Sequence, residues 1–133
     1  MTNEELPPRF RPKLIFTPKT RELYWCDFPK DAQLPEFWKR RPVIIVSRLN
    51  TLHGAVTVIP CSTQEQRDSW AVKLSGTIDG TPGDSWAICD KPTTVAVSRL
   101  LLPHGGKRKV SEAEFTQVLA KLLEWLPKLS IDK

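Results

Sequence analysis

The chain has 133 residues, 40% of them hydrophobic and 26% charged, with a net charge of +5 and an isoelectric point of about 9.3. That length holds one domain with a single modest core, and no apolar run is long enough to form a bilayer-spanning helix, so no membrane partner is expected. Three cysteines, Cys26, Cys61 and Cys89, with no CxxC pair, argue against a disulfide framework or a zinc site and predict buried free thiols.

In chain order, the start MTNEELPPRFRP lacks the apolar middle of a signal peptide, which predicts a cytoplasmic protein. Prolines at 7, 8, 12 and 18 make residues 1–19 an extended, proline-rich basic arm, ordered against the domain or a second subunit. The domain proper is expected over residues 20–127, with 128–133 a short tail. Residues 22–28 (ELYWCDF) alternate as a first strand that Pro29 ends, and 29–41 form a long loop. Residues 42–49 and 55–62 are dense in β-branched side chains and read as central strands joined by a short antiparallel connection at 50–54. Pro60 cannot donate to a ladder and marks a bulge, an edge or a strand end. Strands at 70–75, 85–90 and 93–100 follow, separated by a glycine-rich turn at 76–84 and by Pro92.

After a basic glycine loop, the period changes. Ser111 and Glu114 form a capping box, the serine accepting from the third residue's amide while the glutamate reaches back. Phe115, Val118, Leu119, Leu122 and Leu126 then recur at helical spacing until Pro127. About six short strands and then one helix, without βαβ alternation, predict a mainly β fold: a small bent antiparallel sheet or partly closed barrel with the C-terminal helix packed on it.

The stretch 36–64 carries the chemistry. Lys39, Arg40 and Arg41 lead through Pro42 into the first central strand, and the second ends in Pro60-Cys61-Ser62-Thr63-Gln64. Pairing the two strands brings Arg41 close to the hydroxyls of Ser62 and Thr63. A guanidinium beside small hydroxyls, with Phe37, Trp38 and Trp70 available for base stacking, suits a single-stranded phosphodiester. The plainer alternatives are a solvated loop charge and a strand-end hydroxyl bonded to backbone. Asp90 ends a strand and is placed along the same groove, whereas Trp25, Trp86 and Trp125 are assigned to the core or a dimer interface. Residues 107–109 are read as a solvated turn. His53 and His104 are read as surface residues, since a lone imidazole lacks the second group of an acid–base pair.

Tyr24-Trp25-Cys26-Asp27-Phe28, Glu36 five residues before Arg41-Pro42, Val43-Ile44-Ile45-Val46-Ser47 and Ile59-Pro60-Cys61-Ser62-Thr63-Gln64 together resemble the PemK/MazF toxins of bacterial toxin–antitoxin pairs. The pattern recurs at 87–90 and at Ser98-Arg99-Leu100, so the likeness covers most of residues 22–126. It implies an SH3-like barrel, usually a homodimer, that cuts single-stranded RNA with no metal or other cofactor. In that family the arginine before the proline and the threonine two places before the glutamine carry the chemistry, which implies Arg41 and Ser62 here, with Glu36 matching the loop glutamate. Phe37, Trp38, Lys39, Arg40, Thr63, Gln64, Asp90 and Lys91 are then the expected RNA contacts.

The chain departs from the family pattern in places. Its loop lacks the family's glycines, Arg21 replaces the glycine before the first strand, and Lys91-Pro92-Thr93 replaces a basic and amide pair. The expected partners are RNA and a cognate antitoxin whose acidic or amphipathic peptide covers the basic groove. Two rivals stand beside this reading. One is the same barrel retained as an RNA- or peptide-binding module. The other is a gyrase poison of the related CcdB kind, disfavoured because the helix continues Trp125-Leu126-Pro127 rather than ending in Trp-Gly-Ile.

Overall fold

The computed structural model describes residues 5–129. Burial along β1 (Glu22–Asp27) alternates strictly, with Glu22, Tyr24 and Cys26 inward, the two-residue period of a strand with one face in a core. β2 (Arg40–Ile45), β3 (Ala55–Ser62), β4 (Ala71–Ser75), β5 (Asp84–Ile88), β6 (Thr93–Ala96), β7 (Leu100–Leu101), β8 (Arg108–Lys109) and α1 (Glu112–Trp125) follow. The eight strands among the described residues run in the order β4-β5-β3-β2-β1-β7, with β6 beside β3 and β8 beside β1, and every pairing is antiparallel. One 3-10 turn, Val97–Arg99, carries the chain from β6 to β7 and so from the β3 side of the sheet round to β1. The result is a curled antiparallel half-barrel with a C-terminal helix, the fold class that the sequence pattern predicts.

The apolar run of β2 and β3 is nearly continuous because both of its faces are covered. On the inner face Val43, Ile45, Val56 and Val58 pack with Tyr24, Cys26 and Leu100. On the other, Ile44, Ile59 and Cys61 pack with Val72, Leu74 and the helix residues Phe115 and Val118. Leu14 of the arm belongs to the inner cluster, and Asn50 Nδ2 donates to the carbonyl of Pro18 at 3.1 Å. The 14–18 part of the arm is therefore laid against its own domain.

Several boundaries differ from the sequence expectation, each for a local reason. β2 starts at Arg40, before Pro42, because Asp27 pairs with Arg40 and extends the ladder. It stops at Ile45 because the amides of Val46 and Ser47 both donate to the Thr57 carbonyl, at 3.0 and 3.3 Å, the two-against-one arrangement of a bulge. Pro60 falls on β3 in the gap between its β6 partners, which end at Val58, and its β5 partners, which begin at Cys61. Residues 108–109 form a short strand against Leu23 and Glu22 rather than a solvated turn.

Ser111 caps α1, accepting from the Glu114 amide at 3.2 Å. The Glu114 carboxylate accepts from the Ser75 amide of β4 at 2.7 Å and from the Ser111 hydroxyl at 3.3 Å, so it ties the helix to the sheet as well as reaching back to its own cap. The helix ends at Leu126, whose extended ψ of 151° is what a following proline requires. Trp125 is 43% exposed and lies outside the core, and Trp25 and Trp86 are half-buried.

Candidate active site

β2 and β3 pair Val43 with Pro60, Ile44 with Ile59 and Ile45 with Val58. Two residues further along each strand from the Val43–Pro60 pair stand Arg41 and Ser62. Side chains alternate across a strand, so this parity sets both on the side of Val43 and Pro60. The Arg41 guanidinium carbon lies 4.9 Å from the centre of the Phe37 ring, a cation–π contact. Its Nε is buried with no hydrogen-bond partner among the described residues, an uncommon state for a buried donor. Ser62 is 9% exposed, and its hydroxyl oxygen accepts from the Gln64 amide at 3.1 Å. Among the described residues, nothing accepts the hydroxyl proton.

The other residues expected here divide into groups. Glu36 accepts from the Gln33 amide at 2.7 Å and donates its own amide to the Gln33 carbonyl at 2.8 Å. It closes a turn in the loop and pairs with neither arginine. Arg40 forms a forked pair with Asp27 instead, at 2.7 and 3.3 Å, with Lys13 3.7 Å away on the same carboxylate. The Arg40 hydrogen bond holds the Asp27 carboxyl below its ordinary range, against a smaller opposing effect of burial. Trp38 is 51% exposed, with Lys39 Nζ 5.8 Å from its ring centre. Phe37 folds back on Phe28, their ring centres 5.7 Å apart.

A groove of about 400 Å³ runs between the loop after β1 and the β5–β6 turn, with Glu36, Phe37, Asp90 and Lys91 along it. Lys91 Nζ donates to Asp90 Oδ2 at 3.0 Å. Thr63 is not part of this arrangement. It lines a separate groove with Pro42, Cys61 and Glu114, as the residue after Ser62 must when side chains alternate. Gln64 is exposed, and its carbonyl accepts from Gln66 Nε2 at 3.2 Å. His53 borders a groove beside the arm, and its carbonyl accepts from Arg9 at 3.2 Å.

Sequence reasoning placed Asp27 and Arg99 within the family-like motifs but gave neither a role at the site. Arg99 Nη1 donates to the Asp27 carbonyl at 3.0 Å, so Asp27 gathers cations from the arm, β2 and the β6–β7 turn. A charged residue ending an otherwise apolar strand is the one signal that marked it. All three cysteines are free and buried. Burial pushes the Cys26 thiol up to about 12, the Cys89 thiol to about 11 and the Cys61 thiol higher still. None supplies a thiolate nucleophile near neutral pH. Among the described residues, no group of three or more His, Cys, Asp and Glu side chains is placed to hold a metal ion.

A family model described as the PemK-like, MazF-like toxin of type II toxin–antitoxin systems matches residues 19–126. The chain belongs to this family. No curated protein matches it in sequence. The MazF of Deinococcus radiodurans superposes with a TM-score of 0.66 at 19% identity, over 82% of this chain and 96% of that one. A mycobacterial endoribonuclease solved with its cognate antitoxin gives 0.58 at 21% identity, over 84% and 99%. The Mycobacterium tuberculosis toxin MazF-mt6 gives 0.56 at 19% identity, over 79% and 95%. At such identities these neighbours establish the shared half-barrel. No helix among the described residues of this PemK/MazF-family chain is long and apolar enough to cross a membrane.

Proposed function

We propose that this chain is the toxin of a toxin–antitoxin pair, a cytoplasmic endoribonuclease that works as a homodimer and cuts single-stranded RNA. The observation that carries the reading is Arg41: a guanidinium whose Nε is buried and unpartnered among the described residues, on the same side of the paired strands β2 and β3, by alternation, as the Ser62 hydroxyl. In the proposed step the ribose 2′-oxygen attacks its own phosphorus. The O2′–P bond forms, the P–O5′ bond breaks, the 2′-proton leaves to a base and the departing 5′-oxygen takes up a proton. The products are a 2′,3′-cyclic phosphate and a 5′-hydroxyl.

Arg41 supplies fixed positive charge to the non-bridging oxygens as the phosphorus becomes five-coordinate. Ser62 donates its hydroxyl proton to a phosphate oxygen and so holds the linkage in line. Glu36 stands on the groove wall and is the carboxylate assigned to accept the 2′-proton, provided that its bond to the Gln33 amide opens. Trp38 offers an exposed face for a base. The partner antitoxin would present an acidic or amphipathic segment to the same basic groove.

The near-burial of Ser62, with its oxygen engaged by the Gln64 amide, favours one alternative, a barrel that binds RNA without turning it over. End analysis separates the two. The purified chain, incubated with single-stranded RNA in a chelator, is expected to yield fragments with 5′-hydroxyl and 2′,3′-cyclic phosphate ends. RNA that is bound yet remains intact would establish the binding module.

A further inference from the structure

The groove beside Arg41 has a polar pair that the cleavage step does not use. Its walls are largely apolar, with Phe28, Pro29, Phe37 and Pro92 among them, which suits the flat faces of a base. Phe37 forms part of this wall and also lies under the Arg41 guanidinium. A base in the groove and a phosphate at Arg41 would therefore flank the same ring. Asp90 and Lys91 stand on the opposite wall, joined at 3.0 Å, with the Asp90 side chain 14% exposed and that of Lys91 43% exposed.

Hydrogen-bonding capacity remains on both. Asp90 Oδ1 takes no protein donor among the described residues, and Lys91 Nζ uses one of its three protons on Asp90. The turn that presents them is fixed by Lys91 N donating to the Ile88 carbonyl at 3.2 Å and Thr93 Oγ1 donating to the Lys91 carbonyl at 3.2 Å. A carboxylate takes two parallel N–H bonds well. Of the four bases, guanine alone presents two neighbouring donors, N1–H and N2–H, beside an acceptor, O6. Adenine offers one donor, cytosine one donor before two acceptors, and uracil one donor between two acceptors.

We propose that this groove selects a guanine next to the scissile phosphate, with Asp90 accepting from N1–H and N2–H and Lys91 donating to O6. The inference rests on the single-stranded RNA reading above, and its test is separate from turnover. Fluorescence anisotropy measures the affinity of the full chain for labelled all-2′-deoxy pentanucleotides of uracil with one central guanine, adenine or cytosine, which lack the attacking hydroxyl. Guanine is expected to bind about 10- to 100-fold more tightly than the other two. Asp90→Asn, which replaces one acceptor oxygen by a donor, abolishes that preference. Lys91→Met, on an exposed side chain, lowers affinity for the guanine strand alone by about tenfold and stands in should the first variant fail to fold. Equal affinities across the series, a preference that survives in folded Asp90→Asn, or one that is undiminished in Lys91→Met, overturn the guanine assignment and leave the RNA reading standing. No affinity for any of the strands overturns both.

Discussion

β1 carries a cluster of cations at each end, and the two clusters are employed differently. Near Glu22, Arg21 donates Nε and Nη2 to the Val110 carbonyl at 3.1 and 3.0 Å and meets Glu112 at 3.4 Å. Lys107 lies 3.9 Å from the buried Glu22 carboxylate and 3.8 Å from the centre of the Phe16 ring. Arg108 donates Nη2 to the Asp79 carbonyl at 3.2 Å, although its Nε is unpartnered. Near Asp27, Arg40 is matched in the same manner, but Arg41 has no hydrogen bond or ion pair among the described residues. A run of positive charge in a sequence does not say which cations belong to the fold. The partners do: of these five cations (Arg21, Lys107, Arg108, Arg40 and Arg41), Arg41 is the one with neither a hydrogen bond nor an ion pair among the described residues.

Breaking each end in turn tests the contrast. Arg41→Ala is expected to lower RNA cleavage by about 100-fold or more, with the melting temperature nearly unchanged, because no protein partner is left stranded. Arg41→Lys should recover only part of the loss, since an ammonium cannot reproduce the fork. Cleavage rates and thermal melts measured on the same preparations decide it. A parallel fall in stability and activity would make Arg41 structural.

The opposite end should show the reverse. Arg21, just before β1, adopts φ +78°, a left-handed conformation that costs an ordinary residue about 1–2 kcal/mol. Its side chain offsets that strain through the bonds to Val110. Arg21→Ala keeps the strain and loses the bonds, for about 1–3 kcal/mol of stability, with cleavage per folded molecule unaltered. Arg21→Gly loses the same bonds but relieves the strain, so it should be more stable than the alanine variant by about 1 kcal/mol. Denaturant melts that rank glycine below alanine would refute this account.

The parts of the molecule legible in the sequence are those set by periodicity. The alternation of β1, the apolar density of β2 and β3 and the helical spacing after Ser111 each follow from which faces are covered, and antiparallel pairing of β2 with β3 follows from their short connection. That pairing, with alternation along each strand, sets Arg41 and Ser62 on the same side of β2 and β3. What was not legible depends on parity and on long-range partners. Thr63 is one residue from Ser62 and lines another groove. Glu36 turns to its own loop, because the Gln33 amide is three residues away while Arg40 already meets Asp27 across the ladder. β8 has two basic residues and no apolar alternation, so its pairing with β1 leaves no local trace. The bulge at residues 46–47 is likewise a property of β3 as much as of β2.

A smaller effect is expected where the helix meets the sheet. Ser111→Ala removes the cap on the Glu114 amide and should lower stability by about 1 kcal/mol. Glu114→Ala also frees the Ser75 amide on β4, so hydrogen exchange at Ser75 should speed up beyond what the global loss explains. Exchange that follows global stability alone would mean that the carboxylate contributes nothing to the edge of the sheet.

The smallest effect concerns acid. The Asp27 carboxyl is held below its ordinary value chiefly by the hydrogen bond from Arg40. A group whose folded pKa is depressed contributes stability above its unfolded value, near 4 for an aspartate, and that contribution disappears as pH falls through the lower folded value. The wild type should therefore lose stability between about pH 4 and the acid side of that range, while Asp27→Asn flattens this limb. The effect is shallow because both side chains are solvent-accessible, at 57% for Arg40 and 35% for Asp27, and salt screens such pairs. Melting curves across that interval at low and high salt isolate it. An acid limb that is equally steep in Asp27→Asn would move its origin to another carboxylate, and the matched cation in the contrast with Arg41 would then be matched in geometry alone.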